Sequence, residues 1–207
     1  AEYVIAHIEH LVTKYSVEFI HFEDDNLTLN PKRFEAILDG LATKNIHFEW
    51  DTPNGVRADT LSRELLEKIK VSGVSELRIA IESGVQEVLD KVVKKSLDIE
   101  KAIQAAKDCY ALGIPLSAFY VIGMPGETKG DIQQTLNLAY RLMKEFNVTP
   151  HVNIANPLIG TELYETAKAK GYLVDEDYTK GFIFGTGRIK TEEFSPEDLK
   201  QMSTEFY

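Results

Sequence analysis

Five stretches of this chain carry residues able to bind ligands or move protons, and each lies where an apolar run stops. They are Glu23-Asp24-Asp25-Asn26, then Asp51 with Asn54 and Arg57, then Glu82-Ser83-Gly84, then Ile122-Gly123-Met124-Pro125-Gly126-Glu127-Thr128, and last Asn153 with Asn156-Pro157. Carboxylates accept hydrogen bonds from hydroxyls and ammonium groups, amides donate and accept, and a guanidinium pairs with a carboxylate. Such a set suits a zwitterionic, polyhydroxylated small molecule. A second chemistry would use Glu23 and Glu82 as a general acid/base pair in a self-contained lyase or hydrolase. A third reading leaves the same residues as a silent pocket on a non-catalytic scaffold. Glu82 is the sharpest candidate, because a carboxylate directly after the apolar Ile79-Ala80-Ile81 needs a partner or a role.

The elements that must position these residues alternate. Val4, Ile5, Ile8, Leu11, Val12 and Tyr15 recur at helical spacing, and the short apolar run from Val17 to Glu23 reads as a strand. Asn30 caps a helix with Pro31 in its first turn and a stripe of Phe34, Ile37, Leu38 and Leu41. There follow a strand His47 to Thr52, a helix Arg63 to Val71, a strand Glu76 to Ser83, a helical region Gln86 to Lys94 and a helix from its cap Asp98 to Leu112. A strand Leu116 to Gly123, a helix Lys129 to Phe146, a strand Pro150 to Asn156 and a helix Thr161 to Lys170 complete the series. The repeat of roughly 30 to 40 residues is that of a βα unit and implies parallel strands with right-handed crossovers. The expectation is an α/β chain with five parallel strands, barrel-like or open, whose reactive groups gather at the strands' carboxyl ends. The tail from Tyr172 to Lys190 breaks the rhythm with Gly181, Gly185 and Gly187, and Ser195-Pro196-Glu197 opens a last helix. With no low-complexity linker, one domain over 1–207 is expected, a core over 1–171 and an irregular extension with a helix over 172–207.

Composition narrows the partners. The balance of 23 basic against 33 acidic residues, a net charge of −10, argues against nucleic acid or an anionic membrane held by general electrostatics. Cys109, the only cysteine, shares a helix with the apolar Ile103, Ala106 and Tyr110 and reads as a buried structural thiol. One thiol cannot hold a metal cluster, and it fits a reducing, cytoplasmic compartment. His7 and His10 fall off the apolar stripe of their helix and read as solvent-facing, whereas His21, His47 and His151 in strands read as packed or hydrogen-bonded rather than as ligands. No metal site is therefore expected. No run approaches the roughly 20 apolar residues of a membrane span, and a start at Ala1 inside a helix suggests an excised piece.

Four segments in order, Phe22-Glu23-Asp24-Asp25-Asn26-Leu27-Thr28, Gly55-Val56-Arg57-Ala58-Asp59, Ala80-Ile81-Glu82-Ser83-Gly84 and Val121-Ile122-Gly123-Met124-Pro125-Gly126-Glu127-Thr128, resemble the radical S-adenosylmethionine (SAM) superfamily. The likeness is to its Fe-S oxidoreductase branch, which often carries an N-terminal cobalamin-binding domain. The resemblance implies a partial (βα)6 barrel whose first strand and Cys-x3-Cys-x2-Cys loop, ligand of a 4Fe-4S cluster, are missing here. It also implies an enzyme that cleaves SAM to a 5′-deoxyadenosyl radical, served by an electron donor, for hydrogen abstraction or methyl transfer on an unknown substrate. Carried over, Glu23, Asp24 and Asp25 face the methionine amino group, and Glu82 and Ser83 meet the ribose and carboxylate. Ile122 and Gly123 pack by the adenine, and Asn153 lines the pocket. Arg57, with Lys94 or Lys95, is left for the SAM carboxylate or the substrate. Lacking the three cysteines, the chain as it stands is expected to be inert by the radical route and to bind SAM weakly.

Overall fold

A computed structural model describes residues 1–174 and 186–207; Gly181 and Gly185, singled out above, lie outside the described residues. The elements alternate as the apolar periodicities require: α1 (Glu2–Tyr15), β1 (Phe19–His21), α2 (Pro31–Thr43), β2 (Glu49–Asp51), α3 (Arg63–Val71), β3 (Val74–Glu82), α4 (Gln86–Val88), α5 (Ile99–Leu112), β4 (Leu116–Ile122), α6 (Lys129–Phe146), β5 (Thr149–Ile154), α7 (Glu162–Ala169) and α8 (Pro196–Phe206). The five strands form one parallel sheet in the order β1-β2-β3-β4-β5, with Phe19 opposite Glu49 and His21 opposite Asp51. Sequential order with a helix between neighbours is the outcome of right-handed crossovers.

The described residues gather into two compact units. The first holds Ala1–Ile81, Glu100–Ala118 and Leu142–Thr149, and the second Glu82–Ile99, Phe119–Arg141 and Pro150–Tyr207.

In the first unit, alternate strand residues turn to the helices. Phe22, Phe34 of α2 and Trp50 pack edge to face, with ring centroids 5.4 to 6.3 Å apart. The indole N–H of fully buried Trp50 donates to the Ser72 carbonyl at 3.2 Å and to its hydroxyl at 3.0 Å, so burial leaves no donor unpaired. Leu65, Leu66 and Ile69 of α3 are buried, and so are Ala102, Ala105, Ala106 and Cys109 of α5. Asn30 caps α2 by accepting from the Arg33 N–H, as its position before Pro31 predicts.

The second unit closes over Ile122, which packs with Ile132 and Leu136 of α6, Ala167 of α7, Leu199 of α8, Ile189 and Phe194. Ser195 and Asp198 form a reciprocal capping box at the start of α8.

Two local readings need correction. Residues 86–94 are not a plain helix: one turn of α4 widens into a π-helical stretch Leu89–Val93, ended by Lys94 in left-handed conformation at φ 57°. Lys95 N–H donates to the Leu89 carbonyl at 2.8 Å, and the Gln86 side chain ties down Leu97 O and Ile99 N–H, bonds that no 3.6-residue pattern announces. The first two strands are also shorter than their apolar runs, although Phe22 N–H still reaches the Asp51 carbonyl at 3.1 Å.

Candidate functional site

β3 alternates the buried Leu77, Ile79 and Ile81 with Glu76, Arg78 and Ala80 and delivers Glu82 at its carboxyl end. Glu82 takes φ 69°, a left-handed conformation that a residue with a Cβ adopts only where its surroundings impose it. Its carboxylate accepts from Lys95 Nζ at 3.0 Å, and both side chains are only about a fifth exposed, at 22% and 17%. The wide turn before them separates the two lysines that the sequence leaves open. Lys95 turns to Glu82, while Lys94 pairs with Glu162 at the start of α7.

Gly84 follows where α6 passes within contact. A Cβ there would lie 2.8 Å from Thr135 Cα and 3.0 Å from the Gln134 carbonyl. Buried Thr135 Oγ1 accepts the Gly84 N–H at 2.9 Å and lies 3.2 Å from the Ser83 hydroxyl, which also accepts from Val85 N–H. Ser83 is fully buried, so its hydroxyl braces this turn.

The loop after β4 is held by a carboxyl group. Glu127 is 1% exposed, and its Oε2 accepts the Met124 N–H at 2.6 Å. Burial pushes this carboxyl up to about 7, against the hydrogen bonds from the Met124 and Gly123 backbone. Its other oxygen, Oε1, is buried with no hydrogen-bond partner among the described residues. Ile122 points its side chain into the helix-facing cluster, and its carbonyl accepts from Ala155 N–H at 2.8 Å, so this segment offers backbone rather than side chains. Gly123 sits at φ 87° with Leu199 Cδ1 2.5 Å from where a Cβ would be. Asn153 is exposed on β5.

In the first unit, Glu23, Asp24 and Asp25 are exposed in the turn after β1, and Asn54 Nδ2 donates to the Glu23 carbonyl at 2.9 Å. Arg57 is already engaged: its Nε and Nη2 donate to the two oxygens of Asp59 at 3.0 and 2.7 Å. This bidentate bond holds the guanidinium above its ordinary value. In the sequence Glu127 reads as part of a turn, and Thr135 carries no local signal because its partners lie 51 and 52 residues away.

The donor set separates the cofactors. Among the described residues no group of three or more His, Cys, Asp or Glu could hold a metal, and Cys109 is buried with its thiol pushed up to about 12 by desolvation. These residues do not fit an iron-sulfur cluster. Within the second unit, Glu82 as acceptor and Lys95 as cation are group types that the hydroxyls and carboxylate of an adenosyl amino acid could meet.

The profile of the Radical SAM superfamily matches residues 1–139. The chain is similar to cytidylyl-2-hydroxyethylphosphonate methyltransferase of Streptomyces wedmorensis, 26% identical over 98% of this chain and 38% of that protein. It is also similar to an uncharacterized methyltransferase of Pyrococcus horikoshii, 25% identical over 100% of this chain and 43% of that protein. The chain thus spans about two fifths of the curated relatives it matches. Among solved structures, the cobalamin-dependent radical SAM enzyme OxsB shares the fold at TM-score 0.64 and 15% identity, over 85% of this chain and 32% of that one. Coproporphyrinogen III oxidase of Escherichia coli does so at TM-score 0.62 and 16% identity, over 99% and 44%. With a family profile over two thirds of its length and this parallel α/β sheet, the chain belongs to the radical SAM superfamily.

Proposed function

We propose that these residues are the SAM-holding part of a radical SAM enzyme, and that the observation carrying this reading is the Glu82–Lys95 pair at the end of β3. Glu82 accepts from the ribose hydroxyls, Lys95 pairs with the ligand carboxylate, and Ser83 and Gly84 hold the turn in place. Backbone at Ile122 and Gly123 lies along the adenine, Glu23, Asp24 and Asp25 receive the ammonium, and Asn153 adds an amide. Arg57, paired with Asp59, is assigned to the SAM carboxylate or the substrate. Bound SAM supplies a methyl group or a 5′-deoxyadenosyl group, and the protein supplies orientation and exclusion of water.

For the intact enzyme we propose methyl transfer ahead of hydrogen abstraction, an assignment supported by the methyltransferases among its relatives. Cobalamin, a 4Fe-4S cluster and an electron donor belong to the same proposal. Cobalamin is supported by its occurrence with OxsB and TsrM. The single thiol supports a reducing, cytoplasmic setting, and no helix among the described residues is long and apolar enough to cross a membrane. An acid/base pair of Glu23 and Glu82 is less well supported, since Glu23 is exposed and Glu82 already holds an ammonium.

Calorimetric titration of the 207-residue chain with SAM tests this reading. Saturable binding that Glu82→Ala weakens by about tenfold, the worth of one charge-assisted hydrogen bond, is expected. Unchanged affinity in the variant would remove Glu82 from the site.

A further inference from the structure

A continuous chain of polar side chains crosses four neighbouring strands in the first unit. His21 Nδ1 lies 2.6 Å from Asp51 Oδ1, Arg78 Nη1 donates to Asp51 Oδ2 at 2.9 Å, Arg78 Nη2 lies 2.6 Å from Glu76 Oε2, and the Ser117 hydroxyl donates to Glu76 Oε1. Strand alternation puts these residues on the sheet face opposite the one that Phe22, Trp50, Leu77 and Ile79 bury. Nothing in the SAM site proposed above uses them.

The chain of bonds fixes a tautomer. Asp51 accepts from Arg78 on one oxygen and offers only an acceptor on the other, so the proton of the His21–Asp51 bond sits on Nδ1. In the neutral ring Nε2 is then the acceptor. Exposure runs in the same direction: the Asp51 side chain is 8% exposed and that of His21 58%. Nε2 has no hydrogen-bond partner among the described residues, and the one ring beside the imidazole is Phe19 at 4.9 Å between centroids. An orienting carboxylate buried behind an open imidazole is the arrangement of a general base.

We propose that His21 Nε2 is a proton-accepting site for an O–H or N–H group of the substrate, with Asp51 and Arg78 as positioning residues. The substrate X–H bond breaks, its proton passes to Nε2, and the electron pair stays on X. The imidazolium so formed is held by the Asp51 carboxylate, and Arg78 keeps that carboxylate in place. This rests on the proposed function only in taking the substrate to lie on this face. The state of His21 itself is independent of SAM binding, so the two proposals fail separately.

The test is a long-range 1H–15N spectrum of the 15N-histidine-labelled 207-residue chain at neutral pH, read beside carbethoxylation by diethyl pyrocarbonate mapped by mass spectrometry. The expected result is His21 with Nδ1 protonated and Nε2 bare and reactive, and loss of both properties in Asp51→Asn. His21→Gln should shift the melting temperature by less than about 3 °C, as a half-exposed group with one surface-side bond would. A proton on Nε2 in the wild type would overturn the proposal. So would a His21→Gln variant that unfolds or melts far lower, because His21 would then be a brace of the sheet.

Discussion

Lys95 Nζ lies 3.0 Å from Glu82 Oε1, and the π-helical turn over Leu89–Val93 places it there. Adjacent lysines would share a helix face poorly, but the left-handed Lys94 sends its own ammonium to Glu162 and leaves Lys95 to the strand end. Removing the ammonium in Lys95→Met is therefore expected to weaken SAM binding by about tenfold, the worth of one charge-assisted hydrogen bond. Lys94→Met should leave it unchanged. Titration of both variants checks the assignment, and equal weakening would refute it.

Gly84 is expected to tolerate no side chain. A Cβ would meet the backbone of α6 at Thr135 and Gln134, and neither can step aside as a side-chain tip would. Gly84→Ala should cost about 1–3 kcal/mol in urea unfolding, the range for overpacking. Thr135→Val should cost a similar amount by orphaning the Gly84 N–H.

Glu127 predicts a pH dependence. Its folded value of about 7 stands above the ordinary 4.5, so the folded chain binds this proton more tightly than the unfolded one. Stability should fall as pH rises from about 4.5 to about 7, by an amount on the order of 3 kcal/mol. Glu127→Gln keeps an acceptor for Met124 N–H and cannot ionise, so the wild-type minus variant difference in unfolding free energy isolates the slope. A flat difference across this window would contradict the burial of that carboxyl.

Cys109 should behave as an inert core thiol. Its value near 12 leaves almost no thiolate at neutral pH. Iodoacetamide is expected to label it only in denaturant. Anaerobic treatment of the folded 207-residue chain with iron and sulfide should give no 4Fe-4S absorbance, and Cys109→Ala should give the same null result. Stoichiometric cluster formation would refute the ligand inventory above.

The alternation of periodicities made the sheet legible, since five apolar runs separated by capped amphipathic helices permit few other topologies. Asn30, Ser62, Thr161 and Ser195 all cap helices through their side chains, a signal that lies within a few residues of each helix start. The turn after Val88 was illegible for the opposite reason, because Gln86 and Leu89 fix it through bonds to Leu97 and Lys95. The strand ends single out Glu82 as a residue that needs a partner or a role, and its ion-pair partner Lys95 is brought to it by the turn. Ile122 shows the limit of residue type alone: an apolar residue beside a binding loop can serve either the ligand or the core, and its side chain serves the core. The polar chain from His21 to Ser117 was equally hidden, since its members come from four strands.

The most direct measurement is an amide NMR titration of the 15N-labelled 207-residue chain with SAM. Saturable shifts at Glu82, Ser83, Gly84, Lys95 and Gly123, with a midpoint moved to about tenfold higher SAM in Glu82→Ala, are predicted if this strand end holds the cofactor. Shifts confined to other residues, or none at millimolar SAM, would contradict it.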